Sequence, residues 1–365
     1  MKNLFRILVA VTIVLVIFIY LDNPVQENEL IMGPNNSGQL IPQQVTEVSE
    51  PLTIFDRPKE GISTLIGKPS QTLIDLYGKP VRIEPSGFDY DWWVYNESFS
   101  TYRLFGVSDG LVVQSFAIGG DVDVAPYKIG QTLTDIYRFT LVQSEITMSI
   151  DSNTYTFSLT EEDINTRILV QFNDLFAILY IDMDDQELEA VRYIDAKTLL
   201  KLKPYDILYN GMMIDVETPA SSLQASIDRA NERQVVEMTN VIRHRHGLQV
   251  LESNYALQQL ARNHSEEMAK NNIVINETFE IPKFSDQLKE SAIDFTRAAG
   301  NTAAFYFDAG EAVNGWLNSK DHRATILGEW YTHTGVGVYS NYYTQNLIEQ
   351  PKPKLKDRKK DASID

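Results

Sequence analysis

The sequence predicts an α+β chain with two folded parts: a duplicated αβ unit rich in hairpins, then helices gathered around a sheet, with a single N-terminal hydrophobic segment ahead of both. Three observations predict it. A motif at Ile66 returns at Ile129, as duplication of one unit requires. The block from Glu311 to Val338 joins a capped helix, a second helix start and a Gly-rich strand. An apolar run from Ile7 to Leu21 follows Lys2 and Arg6.

The apolar run is close to the ~20 residues that span a bilayer, and no small-x-small cleavage site follows it. Residues 1–23 are therefore expected as a signal anchor. The basic flank places the bulk of the chain outside the membrane; cleavage would make it secreted. Residues 24–61 are rich in Asn, Gln, Glu, Pro and Ser without a sustained period, and read as a flexible linker.

Residues 62–210 carry the repeat. Ile66 and Gly67, then Gln71, Thr72, Leu73, Asp75, Leu76 and Tyr77, return as Ile129 and Gly130, then Gln131, Thr132, Leu133, Asp135, Ile136 and Tyr137. Each copy opens with a short helix. Strands are predicted at Asp91–Tyr95, Tyr102–Val107 and Leu111–Ala117 in the first, and at Glu145–Ile150, Thr154–Leu159, Ile168–Phe172 and Leu175–Ile181 in the second. Asp109-Gly110 and Asn173-Asp174 are hairpin turns.

The second part, residues 227–350, opens with a helix at Asn231–His246 closed by Gly247. In Ala256–Asn271, Leu257, Leu260, Ala261, His264 and Met268 share a stripe, so His264 points into the domain. A short helix follows at Ser285–Ala292. Asp308 with Glu311 reads as a capping box opening Ala309–Asn318. Ser319 reads as the cap of another short helix, with His322 in its first turn, where the helix dipole disfavours protonation. Gly335 and Gly337 alternate with Val336 and Val338, giving a strand with one bare and one apolar face. Residues 351–365 read as a disordered tail.

The chain has 365 residues and a net charge of −18, which repels phosphate backbones and excludes nucleic acid as a partner. With no cysteine, neither disulfides nor thiolate metal sites are available.

Trp316, Asn318, Ser319, His322, Arg323, Ile326 and Leu327, followed by Thr332, His333 and Gly335 to Val338, resemble the signature of the CAP superfamily in its cysteine-free bacterial form. The resemblance implies an α-β-α sandwich. Ile66-Gly67, Leu76 to Gly78, Pro80, Trp93 and Tyr95 resemble the CAP-associated N-terminal domain. CAP domains commonly gather two histidines and acidic side chains at a cleft, and some bind a divalent cation, a sterol or a lipid there. His322 matches one such histidine. The other belongs to a Phe-Ser-His stretch that reads Thr278, Phe279, Glu280 here, and Gly300 stands where the cleft glutamate of a Gly-Glu-Asn motif falls.

The cleft candidates are thus His322, Glu311, Ser319, Asn318, His333 and His264. No cofactor is called for; if a divalent cation binds, His322 is its ligand. The leading expectation is a membrane-anchored, non-enzymatic binding module for a cell-envelope ligand, whether protein, lipid or glycan. One alternative is a metal-assisted hydrolase or protease, which requires Glu311, His322 and His264 to converge. Another makes the repeat domain an inhibitor or receptor surface, which requires Trp92, Trp93 and Tyr102 to form an exposed patch.

Overall fold

The computed structural model describes residues 25–33, 40–42, 55–271 and 283–351, together with residue 6. The expected anchor, the Thr278–Glu280 stretch and the tail beyond residue 351 lie outside the described residues. Among those described, no helix is long and apolar enough to cross a membrane.

The duplication is visible in the backbone. A seven-stranded antiparallel sheet runs Arg167–Phe172, Leu175–Asp182, Glu187–Asp195, Leu111–Ala117, Arg103–Ser108, Asp91–Tyr95 and Arg82–Pro85. The two copies meet at its centre, where Val191 pairs with Ala117 and Ile194 with Gln114. Gly67 N–H donates to the Val112 carbonyl at 2.7 Å, and Gly130 N–H to Leu188 at 2.8 Å, at the same point of each copy. Both glycines have positive φ, 85° and 79°, a conformation nearly closed to other residues. A second sheet, of four strands, joins Leu40–Pro42, Asp206–Asn210, Asn153–Ser158 and Glu145–Ile150.

One face of the seven-stranded sheet packs Phe105, Ile168, Leu179 and Tyr193 with Leu73 and Ile136 of its own short helices. The other presents Trp92, Leu104, Phe116 and Ile178 to the C-terminal domain, and these share one core with Val235, Met238, Val313 and Trp316. Trp92 and Tyr102 are 3% and 1% exposed and Trp93 is half-buried, so the aromatic patch required by the receptor-surface alternative does not form.

The C-terminal sheet runs Val25–Glu27, Arg297–Ala304, Tyr342–Glu349, His333–Tyr339 and Glu252–Ser253, with Ile31–Met32 also on Arg297–Ala304. Helices Ser221–Arg245, Ala309–Leu317 and Lys320–Ile326 lie on one face, and Tyr255–Lys270 and Phe284–Glu290 on the other. The first of these starts ten residues ahead of the expected Asn231, because Ile227 and Ala230 add a further buried turn. The bare strand face receives a helix: a Cβ on Gly337 would lie 1.9 Å from Arg262 N, and one on Gly335 2.2 Å from Gln258 N.

The linker expected over residues 24–61 requires correction. Val25–Glu27 and Ile31–Met32 pair in parallel with Ala298–Gly300 and Ala303–Ala304, and the register slips by one residue between them. Val25 is buried against Leu257, Phe284 and Ile348, and Leu30 and Ile31 pack on the domain as well. The backbone groups of an otherwise open sheet edge supply the pairing that composition does not reveal.

Candidate functional site

Glu311 and His322 reach the same side of the C-terminal sheet, and neither side chain is free. Asp308 accepts from Glu311 N at 3.1 Å, as a cap should, but the Glu311 carboxylate does not return to close a capping box. It turns to the N-terminal domain, where Arg167 Nη1 donates to Oε2 at 3.0 Å and the Tyr180 hydroxyl to Oε1 at 2.6 Å. Arg167 also holds Asp163. Beside this cluster, Arg192 Nη2 donates to Asp308 Oδ2 at 2.7 Å, and its Nε to the Tyr180 hydroxyl at 3.0 Å. Arg167, Arg192, Asp308 and Glu311 are all at most 5% exposed. Two arginines on strands of one domain therefore neutralise two acids at a helix start of the other.

Ser319 does not cap its helix as expected. Its hydroxyl pairs with His322 Nδ1 at 2.9 Å. His322 is 2% exposed, and Nε2 turns toward the backbone of Glu29 and Thr302 without a hydrogen bond of good geometry. Burial pushes its pKa below the usual imidazole value, and those two backbone groups only partly oppose the shift. A helix of two turns adds little, so burial under the N-terminal strap, rather than the dipole, is the main cause.

The other candidates do not join this pair. Asn318 clasps the N-terminal domain, donating to the Ile181 carbonyl at 2.9 Å and accepting from Met183 N at 3.0 Å. His333 meets Thr332 Oγ1 at 2.8 Å and lies 3.6 Å from Glu252, on a strand separated from Arg297–Ala304 by another strand. His264 belongs to the helix on the opposite face, where burial pushes its pKa down to about 4. Gly300 also faces that side: a Cβ there would meet Phe284 at 3.7 Å, while Asn301 takes the His322 side and donates to the His322 carbonyl at 3.3 Å. The convergence that a hydrolase would need is not met.

The divalent cation that the fold family suggests does not fit these residues. A metal site takes three or four N, S or O ligands. Glu311 spends its two oxygens on Arg167 and Tyr180, and His322 spends Nδ1 on Ser319. Elsewhere among the described residues, ligand atoms of Asp182, Asp185 and His246 lie within 4.8 Å of one another. There Arg323 Nη2 stands 2.9 Å from each aspartate, a cation already in place.

What remains open is a groove of about 560 Å³ between the domains. Thr160, Tyr205 and Ser319 bring hydroxyls, Asn314 an amide, Glu162 and Asp206 carboxylates, and Met32 closes one end. Its size is that of a ligand site, and its lining is polar and acidic. Sequence reading missed Arg167, Tyr180 and Arg192. Their signal was an arginine set in each of two apolar strands, ArgIleLeuVal and AlaValArgTyrIle, where burial demands a partner.

Such a sandwich, with its cleft acid and histidine engaged by a second domain, defines a two-domain CAP protein. The chain belongs to the cysteine-rich secretory protein family: the model of that family matches residues 236–349, and the CAP-associated N-terminal model matches residues 66–205. It is 35% identical over 350 residues, 96% of this chain and 100% of the relative, to YlbC of Bacillus subtilis (strain 168), described as an uncharacterized membrane protein. The solved structure of an extracellular protein containing a SCP domain from Bacillus anthracis is 34% identical, with a TM-score of 0.75, and covers 84% of this chain and 99% of that one. A cysteine-rich secretory protein structure from Staphylococcus aureus, 24% identical, has a TM-score of 0.76 over 90% of this chain and 100% of its own, and shares the fold.

Proposed function

We propose that this protein is a membrane-anchored, outward-facing, non-enzymatic binding module whose ligand seat is the groove between its two domains. The observation that carries the reading is the engagement of Glu311: a carboxylate held by Arg167 and Tyr180 is in no position to act as a base or hold a metal. Membrane attachment is supported by the apolar run at Ile7–Leu21 and by the membrane description of the Bacillus subtilis relative. The groove's hydroxyls, amide and carboxylates suit a hydrophilic ligand bearing hydroxyl and amino groups, such as an envelope glycan, over a lipid tail.

Calorimetric titration of the full chain with amino-bearing glycan fragments, lipids and zinc tests this. Glycan binding weakened at least tenfold by Glu162→Lys, an exposed change at the groove, is the expected result. Stoichiometric zinc binding abolished by His322→Ala, or glycan binding indifferent to Glu162→Lys, would overturn it.

A further inference from the structure

The strap at residues 25–33 occupies the sheet edge as a peptide ligand would. It runs parallel to Arg297–Ala304 and pairs only at Val25–Glu27 and Ile31–Met32, leaving Asn28 to Leu30 between the two short pairings. In that gap the Asn28 side-chain amide donates to Asn301 Oδ1 at 2.7 Å, Thr325 Oγ1 at 2.9 Å and the Asp321 carbonyl at 3.1 Å. Val25 enters an apolar pocket of Leu257, Phe284, Leu288 and Ile348. Leu30 packs by Met268 and Tyr342. Main-chain pairing for affinity and alternate side-chain pockets for selection are the working parts of strand-addition sites.

The occupant fits imperfectly at one point. Nε2 of His322, 2% exposed, faces the strap at Glu29 and makes no hydrogen bond of good geometry. A buried polar atom left without a partner costs about 1–3 kcal/mol. A different strand that supplied an acceptor there would recover that loss.

We infer that the edge of Arg297–Ala304, with His322 at its base, is a binding site for an extended segment of another polypeptide, held by residues 25–33 until that segment displaces them. The partner runs parallel to Arg297–Ala304 and carries an apolar residue, then Asn three positions on, then two apolar residues at the positions of Leu30 and Ile31. This site is separate from the interdomain groove, and does not depend on what the groove binds.

The test uses the full chain and a fluorescent peptide with the sequence of Val25 to Gly33. Two substitutions loosen the strap from different ends: Asn28→Ala removes the amide contacts, and Gly33→Val places a Cβ 2.5 Å from the Phe305 carbonyl oxygen. Each loosened chain is expected to bind the peptide at least tenfold more tightly than the unaltered chain. The same peptide bearing Asn28→Ala should not bind, and the His322 imidazole resonance should move as the peptide is displaced. If one substituted chain fails to fold by circular dichroism, the other decides. Failure of both to fold would make the strap an integral strand and overturn the inference. So would folded, loosened chains that ignore the peptide, that bind both peptides alike, or that dimerise in light scattering by exchanging straps.

Discussion

Glu189 is a carboxylate buried where the two domains meet, and it makes the joint sensitive to pH. Arg245 Nη1 stands 2.8 Å from Oε2, while Oε1 has no hydrogen-bond partner. Burial pushes its pKa up to about 7; Arg245 and Arg323 pull it down, and Asp182 pushes it further up. The unfolded chain would titrate the same group near 4.3. Between those values the folded state binds more protons than the unfolded one, so this group's contribution to stability is full below about pH 4.3 and is lost as pH rises through about 7. His264 and His322 act in the opposite sense, since burial holds them neutral and they lose stability on acidification. The informative measurement is therefore a difference. Urea unfolding of Glu189→Gln beside the unaltered chain should show the variant gaining, relative to the parent, on the order of 3 kcal/mol between pH 5 and pH 8. Parallel stability profiles would show that the carboxyl stays ionised. Nothing in the sequence marked Glu189, because in LeuGluAlaValArg it reads as the outward residue of an alternating strand, and only the second domain buries it.

At the scale of single elements, the sequence was most legible where the chain makes its own pattern. Asp91–Tyr95, Leu111–Ala117 and Glu145–Ile150 were bounded by turn residues and alternate cleanly, and they form with the expected bounds. The Gly-rich strand was legible for the same reason, and the structure supplies its purpose. Helix Tyr255–Lys270 lies so close that its backbone occupies the space of the missing side chains. Gly337→Ala forces a Cβ to within 1.9 Å of a backbone nitrogen, which no side-chain rotation can relieve. Overpacking of this kind costs about 3 kcal/mol or more. A fall in the urea midpoint of that size is expected, and a midpoint within error of the parent would mean that the helix can lift off the strand freely. The strap was illegible by contrast. Its apolar residues Val25, Leu30 and Ile31 break period two because the register slips between them, and its Gln, Glu and Asn residues match the composition of a linker.

Over the whole molecule, two domains that the sequence separates share one interior. Trp92, Leu104, Phe116 and Ile178 of the repeat pack with Val235, Met238, Val313 and Trp316 of the CAP fold. Polar contacts reinforce the joint: Glu84 binds Arg233 and Gln234, Glu237 binds Arg82 and Tyr102, and Asp308 and Glu311 bind Arg192 and Arg167. The CAP signature was readable because its residues shape one short local stretch, whereas the engaged state of its cleft depends on residues more than a hundred positions away. Domains joined through a small polar interface melt separately, but a continuous apolar core couples them, since unfolding either half exposes the other half's interior. Calorimetry of the full chain is expected to give one transition whose calorimetric and van't Hoff enthalpies agree. A protease site placed at Glu217-Thr218, in the exposed connection ahead of helix Ser221–Arg245, should leave the two cut pieces bound through gel filtration. Separated in denaturant and returned to buffer singly, each piece should bind a hydrophobic dye, because its half of the shared core is then open to water. Two resolved transitions, or pieces that part without denaturant, would mean that the domains stand independently and that the grip on Glu311 can be released without unfolding either one.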